Sequence, residues 1–254
     1  MKNYLFLLFI SVFLLIASSP HRLIAYSSDR LQIGIISGKP DSLENAYPVL
    51  WRQLARFLQT TTTIEPHPVF ATPVTPKIKK LEKLGIVFLL GDASFKGFSS
   101  QEREILKRWL ILGGGTLVIV NTESAPSSGP DALVRKEVSK LFPDKTLGSI
   151  PWDSALFRSF YLVKSVGGLT LNARFLEGIA IGERYAIIYS PNDILAPLIK
   201  DSEGSYLFRC YPGGEKQRME TVKLVTNVFL YALTGTYKKD VIHMPFIERK
   251  LRRK

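Results

Sequence analysis

Continuous runs of apolar residues recur along the chain and predict the strands of a buried sheet. The two purest runs, residues 84–90 and 116–120, lack the alternation of apolar and polar positions that marks a half-exposed strand. A strand that is covered on both faces is typical of a parallel sheet. Similar or weaker patterns predict further strands at residues 31–37, 63–69, 184–190 and 205–210.

Amphipathic stretches between these runs predict helices. Leu50, Leu54 and Leu58 share one face of the first helix, which Asn45 is expected to cap. Ser99 and Glu102 have the spacing of a capping box, which begins a second helix, and the glycines at residues 113–115 end it.

Further helical patterns lie at residues 131–141 and 215–234. The helix that begins at the Ser99 capping box joins the apolar strands at residues 84–90 and 116–120. This tight strand–helix–strand order predicts a right-handed βαβ unit. The whole pattern therefore predicts an α/β fold with three layers, in which a mainly parallel sheet carries helices on both faces.

The N-terminal residues have the three-part pattern of a secretory signal. Lys2 supplies a positive charge, residues 4–17 are almost wholly apolar, and small and polar residues follow. The apolar run is shorter than the roughly 20 residues that span a bilayer as a helix. We therefore expect a cleavable signal at residues 1–27, with an uncleaved anchor as the alternative, and a periplasmic or inner-membrane-anchored protein whose main domain is residues 28–237.

The net charge of +12 is partly concentrated at the C-terminal end. From Lys238 to Lys254, lysines and arginines far outnumber the two acids, Asp240 and Glu248. An exported protein rarely meets nucleic acid, so an anionic membrane surface or an acidic partner is the expected contact of this basic tail. A solvated tail without a partner explains the same charges equally well.

Cysteine and histidine usage argues against a disulfide and against a metal site. Cys210 is the single cysteine, and its apolar neighbours predict a buried small residue rather than a reactive thiol. His21, His67 and His243 are far apart, and no His/Cys cluster has the spacing of metal ligands. No cofactor, metal or catalytic residue is therefore predicted.

An aromatic cluster follows Pro151. Its side chains would either pack the core of a small lobe or line a groove for a partner. The four residues are Trp152, Phe157, Phe160 and Tyr161.

Four segments carry a likeness to a known family. They are FLLGDASFKGFSSQEREILKRWLILGGGTLVI at residues 88–119, PWDSALFRSFY at 151–161, FLEGIAIGERYAIIYSPNDI at 175–194, and the run at 214–250. Over about residues 31–250 the chain resembles an uncharacterised bacterial family, domain of unknown function 4159. The resemblance implies a flavodoxin-like, class I glutamine-amidotransferase-like fold. It also implies partners in a membrane-associated envelope complex, since relatives are often encoded beside MoxR-type ATPases and von Willebrand A-domain proteins.

The chain departs from the family pattern at two places. It has Asp153-Ser154-Ala155 where relatives usually carry Asp-His-Pro, and Asn121-Thr122-Glu123 where they tend to carry paired aspartates and cysteines. In amidotransferases, a cysteine after this strand attacks the amide, and a histidine activates it. This chain has no thiol there, so the resemblance implies a fold without the amidotransferase nucleophile. A pairing of Cys210 with His243 is the weaker alternative.

A binding crevice is expected beyond the carboxyl ends of the parallel strands, where open α/β sheets bind ligands. Polar residues follow three of the predicted strands, and the three carboxylates among them could hold a divalent cation. The alternative is that these side chains only form turns and cap helices. The candidate crevice residues are Asp92, Ser94, Asn121, Thr122, Glu123, Asn192 and Asp193.

Two functions from different classes fit these features. The first is a non-catalytic binding or assembly module of the cell envelope, which the export segment, the basic tail and the missing nucleophile favour. The second is a hydrolase of an envelope substrate that uses Asp92, Glu123 and Asp193, with or without a metal. Sugar or small-ligand sensing in the same crevice is a third hypothesis.

Overall fold

The structure, a computed structural model, describes residues 30–38, 47–76, 78–123 and 129–234. In this part of the chain, seven strands form one sheet with helices on both faces. The strands are β1 (Leu31–Ile36), β2 (Pro66–Pro73), β3 (Ile86–Gly91), β4 (Thr116–Asn121), β5 (Gly148–Ser149), β6 (Glu177–Ile181) and β7 (Arg184–Ser190). The helices are α1 (Tyr47–Thr61), α2 (Ile78–Leu81), α3 (Ser100–Ile111), α4 (Gly129–Leu141) and α5 (Gly214–Thr234), with short 3-10 turns at Ala155–Arg158 and Ala196–Leu198.

The sheet is parallel over most of its width. Its strand order is β2-β1-β3-β4-β7-β6-β5, and the first five strands of this order are parallel to one another. β6 and β5 complete the sheet as antiparallel strands. The parallel part has the order of flavodoxin-like folds, with β7 in the fifth place. The predicted three-layer α/β fold is therefore confirmed.

Helices cover both faces of the sheet, which is why residues 86–90 and 117–120 of its central strands are apolar. On one face, α1 and α5 share a core in which Leu54 and Phe229 pack against strand residues such as Phe88. On the other face, α3 and α4 contribute Leu106 and Val138 to a second core. Successive residues of β3 and β4 point alternately into these two cores, so every position of both strands is buried.

Both ends of α3 have the features that the sequence predicts, a capping box at the start and a glycine turn at the end. The Ser99 hydroxyl accepts the N–H of Glu102 at 3.2 Å, and the Glu102 carboxylate accepts the N–H of Ser99 at 2.8 Å. This capping box satisfies two amides that have no partner within the helix. At the other end, Gly114 has a φ of +67°, a left-handed conformation that glycine adopts without strain.

The predicted strand at residues 63–69 was displaced, because β2 runs from Pro66 to Pro73. The strand contains Pro66, Pro68 and Pro73. Proline lacks the N–H that a central strand must donate, but β2 lies at the edge of the sheet and pairs only with β1. The edge position therefore explains the difference.

The prediction of a strand at residues 205–210 was wrong. Within that stretch only Tyr206 forms a bridge, to Lys200, and it belongs to no sheet strand. The Phe208 carbonyl accepts the Arg218 guanidinium instead of a strand amide. The segment is held by a buried cation of α5, which a local apolar pattern could not reveal.

A buried amide on α5 ties the irregular segment around the first 3-10 turn to the core. The Asn227 oxygen accepts the N–H groups of Phe160 and Tyr161 at 3.1 and 2.8 Å. Its amide nitrogen donates to the carbonyls of Leu156 and Tyr161 at 3.0 and 2.8 Å. All the hydrogen-bonding groups of this fully buried side chain are thus used to fix a segment that has no strand partner.

Three predictions concern residues outside the described ranges. They are the signal segment 1–27, the Asn45 cap and the basic tail 238–254. Among the helices that the structure does describe, none combines the length and the hydrophobicity needed to span a lipid bilayer.

The core on the α5 face can be tested through Phe229, whose ring centroid lies 5.5 Å from that of Phe88 and 6.0 Å from that of Phe70. We expect Phe229→Ala to lower the free energy of unfolding by about 3–5 kcal/mol, because it removes a fully buried ring and leaves a cavity. Urea denaturation measures this change. The control Met219→Ala, on the same helix but 51% exposed, should change it by less than about 0.5 kcal/mol. Equal effects of the two substitutions would contradict the assigned packing.

Candidate functional site

The carboxyl ends of the parallel strands form one edge of the sheet. Gly91 of β3 pairs with Asn121 of β4, and Val120 of β4 pairs with Ser190 of β7, so the three strands end at about the same level. The connections change direction between β1 and β3, since β2 lies outside β1 whereas β4 lies beyond β3. Open α/β sheets bind ligands at such a switch point. Of the predicted crevice residues, Asp92 and Ser94 follow β3 and border this switch point, whereas the others lie at the ends of β4 and β7.

Asp92 organises the turn that follows β3. One of its carboxylate oxygens, Oδ1, accepts the N–H groups of Ser94 and Phe95 at 2.7 and 3.2 Å, and also the Ser94 hydroxyl. Gly38, in the loop after β1, lies directly against this turn. A Cβ at Gly38 would be 2.0 Å from the Ser94 carbonyl oxygen, so only glycine allows this approach. The loops after β1 and β3 are therefore in backbone contact at the switch point.

The turn after β4 is joined to the turn after β3. Glu123 accepts the N–H of Ala93 through Oε1 at 3.0 Å. Asn121 accepts the N–H of Glu123 through Oδ1 at 3.1 Å, and the N–H of Thr122 donates to the Gly91 carbonyl at 3.4 Å. The Asn121 amide nitrogen is buried and has no hydrogen-bond partner among the described residues. Within the described part of the chain it is an unused donor at the end of β4.

Asn192 and Asp193 follow β7 and hold loops in place. Asn192 is fully buried; its oxygen accepts two backbone N–H groups, and its nitrogen donates to the Gly167 and Ala173 carbonyls at 3.1 and 2.7 Å. Asp193 accepts the N–H groups of Leu195 and Ala196 at 2.9 and 3.0 Å. Burial raises the pKa of Asp193 to about 6, although these two N–H groups oppose the rise.

The structure thus forms two groups from the seven predicted residues. Asp92, Ser94 and the residues at 121–123 are in contact through the joined turns, whereas Asn192 and Asp193 bind the loop at residues 167–173 and the second 3-10 turn. Within the described ranges, no three His, Cys, Asp or Glu side chains are grouped so that they could hold a metal ion. The carboxylates of Asp92, Glu123 and Asp193 are accordingly no such group.

Cys210 is buried, as its neighbours predicted. Burial raises the pKa of its thiol, which disfavours the thiolate that nucleophilic attack requires. Its proposed partner His243 lies outside the described residues.

The aromatic residues that follow Pro151 divide between the core and the surface. Phe157 is buried, and the Trp152 ring packs on it with a centroid distance of 4.4 Å. Trp152 and Phe160 remain 47% and 45% exposed. Phe157 therefore has the predicted core role, whereas the rings of Trp152 and Phe160 face solvent.

A cavity of about 490 Å³ beside the first turn of α5 was not predicted. It is lined by Trp152 and by three cationic side chains from separate parts of the chain. No spacing pattern relates these positions, and each alone looks like an ordinary surface residue. The cations are Lys164, Arg174 and Lys216.

A family model described as "Domain of unknown function (DUF4159)" matches residues 31–233 of the chain. No curated protein matches the chain. The family match confirms the resemblance carried by the segments between residues 88 and 233.

Asp193 should make stability depend on pH in a direction opposite to that of a salt-bridged aspartate. Its pKa in the folded protein, about 6, exceeds its ordinary value of 3.8, so the folded state holds this proton more tightly than the unfolded state. The contribution of Asp193 to the unfolding free energy is therefore full below about pH 4 and falls as the pH rises to about 6.

The substitution Asp193→Asn keeps an oxygen acceptor for both N–H groups and removes the titration. We expect the unfolding free energy of the wild type, relative to this variant, to fall by about 1–3 kcal/mol between about pH 4 and about pH 6.5. Urea denaturation at a series of pH values measures the difference. Parallel pH profiles for the two proteins would show that Asp193 does not titrate in this range.

Proposed function

The chain belongs to the DUF4159 family, whose description assigns no function, and from this premise we propose that the protein is an exported, non-catalytic binding or assembly module of the cell envelope. At the end of β4 and directly after it, where amidotransferases carry a cysteine, the chain has Asn121, Thr122 and Glu123. The Asn121 oxygen and the Glu123 carboxylate accept backbone N–H groups there. These side chains position loops, which supports a binding role over a reacting one.

The observation that carries the proposal is the concentration of exposed apolar side chains in two irregular segments, which are together called the exposed apolar surface. Most of the large apolar side chains that are exposed in the described part of the chain come from residues 152–175 and 207–211. Backbone hydrogen bonds between Leu169, Leu171 and Tyr211 join the two segments. Exposed apolar side chains mark an interaction site where they lie together, whereas single ones are ordinary. The side chains are Trp152, Phe160, Leu162, Phe175, Leu207, Phe208 and Tyr211.

The envelope location in this proposal is supported by the signal-like residues 1–27, and the basic tail at 238–254 adds a contact with anionic lipid head groups. The partners are those that the family resemblance implies, an envelope complex with ATPases of the MoxR type and von Willebrand A-domain proteins. The exposed apolar surface would bind such a protein partner, and the tail would hold the complex near the membrane.

The hydrolase alternative has less support. Asp92 and Asp193 each accept two backbone N–H groups through Oδ1, and Glu123 accepts one, so all three carboxylates have loop-forming roles. Among the described residues, no observation favours hydrolysis over these roles.

The proposal is tested by cross-linked capture of the tagged full-length protein from envelope fractions, followed by mass spectrometry. We expect a specific protein partner whose yield falls about tenfold with Leu207→Ser plus Tyr211→Ser, because these side chains would lie at the interface. Both are more than half exposed, so their replacement should leave the fold intact.

Val69→Ser plus Leu112→Ser is the matched control, since these side chains are 55% and 70% exposed at other places. The control should capture the partner at the wild-type yield. Equal yields from both pairs, or no partner above background, would contradict the proposal. Truncation before Lys238 is a separate arm, in which loss of membrane association alone would assign the tail its lipid contact.

A further inference from the structure

The cavity beside α5 has the size of a small-molecule site. Its volume of about 490 Å³ lies within the range of roughly 300–1,000 Å³ that is typical of ligand pockets. Leu171, Gln217 and the Pro212-Gly213 backbone form part of its wall, together with Trp152 and the three cations. Asn192 and Gln217 both hold the segment at residues 167–173, which contributes Leu171 to the wall.

The wall of this cavity is positively charged. It contains Lys164, Arg174 and Lys216, and no carboxylate is among the described residues that line it. Within the described part of the chain, none of these three side chains forms an ion pair or a hydrogen bond. Like charges around one concave surface reinforce each other's potential and attract an anion.

The acids that lie nearest along α5 are already neutralised by other cations. Glu215 pairs with the buried Arg218 at 2.8 Å, and Glu220 pairs with Lys223 at 2.6 Å. Glu220 also accepts the backbone N–H of Lys164 at 3.0 Å. The cavity therefore keeps its positive charge although two carboxylates follow in the same helix.

The cavity is built on fixed backbone. Gln217 is buried and donates to the Gly168 and Tyr211 carbonyls at 2.6 and 3.0 Å, while its oxygen accepts the N–H of Gly213 at 3.0 Å. Gly167 lies so close to α5 that a Cβ would be 2.1 Å from the Thr221 hydroxyl oxygen. The two loops that carry the wall are thus held against the helix before any ligand binds, which lowers the entropy cost of binding.

Trp152 adds a flat apolar surface to the charged wall. Its ring packs on the buried Phe157 on one side and is 47% exposed. An exposed indole that is fixed from behind is suited to contact the apolar face of a ring. The wall therefore combines a site for an anion with a surface for a ring.

We propose that this cavity binds a phosphorylated sugar, with the phosphate at Lys164, Arg174 and Lys216 and the sugar ring against Trp152. A phosphate monoester carries a charge of about −1.5 to −2 at pH 7, which matches three cations better than a single carboxylate does. Arginine and lysine are the side chains that commonly recognise phosphate. The inference goes beyond the proposed partner-binding function and does not depend on it.

The test is calorimetric titration of the full-length protein with glucose 6-phosphate, inorganic phosphate and glucose. We expect glucose 6-phosphate to bind and uncharged glucose not to bind at concentrations up to about 10 mM. The triple variant Lys164→Gln, Arg174→Gln and Lys216→Gln should weaken binding by at least about tenfold. Absence of glucose 6-phosphate binding would overturn the sugar phosphate as the ligand.

The matched control removes the same number and type of charges elsewhere. Arg56→Gln, Lys83→Gln and Lys136→Gln, at exposed positions outside the cavity, should change the affinity by less than about twofold. An equal loss in both triple variants would show that only the overall charge attracts the ligand, and the proposal would fail. Thermal unfolding of both triple variants at the midpoint of the wild type would establish that they are folded.

Trp152 provides a second readout that a general charge effect would not move. The other two tryptophans, Trp51 and Trp109, are only 5% and 6% exposed, so a change of indole emission on binding should come from Trp152. Trp152→Ala should weaken the affinity for glucose 6-phosphate and leave the affinity for inorganic phosphate unchanged. Trp152→Phe, which keeps an aromatic ring, should restore the affinity for glucose 6-phosphate. Equal affinities of Trp152→Ala and the wild type for glucose 6-phosphate would remove the ring from the proposal.

Vesicles with and without phosphatidic acid distinguish a soluble ligand from a lipid head group, since both carry a phosphate monoester. One outcome is that the wild type binds the vesicles but not glucose 6-phosphate, and that the triple variant of Lys164, Arg174 and Lys216 no longer binds the vesicles. This outcome would retain the phosphate site and assign it to a lipid. If that triple variant still binds the vesicles, another part of the chain contacts the lipid. This outcome counts against a lipid in the cavity.

Discussion

Three buried amide side chains hold the irregular part of the chain on the sheet. In the irregular segments at residues 150–176 and 191–213 the backbone has few strand partners, and each buried group left without a hydrogen bond would cost roughly 1–3 kcal/mol. Asn192, Gln217 and Asn227 supply such bonds from the loop after β7 and from α5. A primary amide both donates and accepts, so one side chain can satisfy several backbone groups. The exposed apolar surface and the basic cavity both depend on these contacts, because they lie on the loops that the amides fix.

The central sheet and α3 could be predicted because the signals that form them are local. Strand β4 is apolar at almost every position, and the Ser99 capping box needs only residues three apart. The edge strand β2 and the segment at 205–210 could not be placed in the same way. β2 tolerates its prolines only because of its place in the sheet, and the 205–210 segment is held by Arg218 of the helix that follows it. Contacts with residues outside each segment decided both.

The candidate sites also differ in how far local signals in the sequence could predict them. Asp92 and Glu123 follow adjacent parallel strands, so the strand-end rule for α/β sheets was sufficient to bring them together. The rule could not show that Asn192 and Asp193 would turn toward the loop at residues 167–173. The basic cavity was beyond prediction, because its cations come from two loops and a helix whose positions follow from buried amides. Such amides leave no periodic pattern in a sequence.

The two edges of the sheet restrict how this protein can associate with others. At one edge, the prolines of β2 remove backbone donors, and at the other edge β5 is only two residues long. A partner that adds a strand to a sheet needs a long edge with free N–H and C=O groups. In the described part of the chain, neither edge strand offers a long uninterrupted row of such groups. Addition of a strand at these two edges is therefore disfavoured.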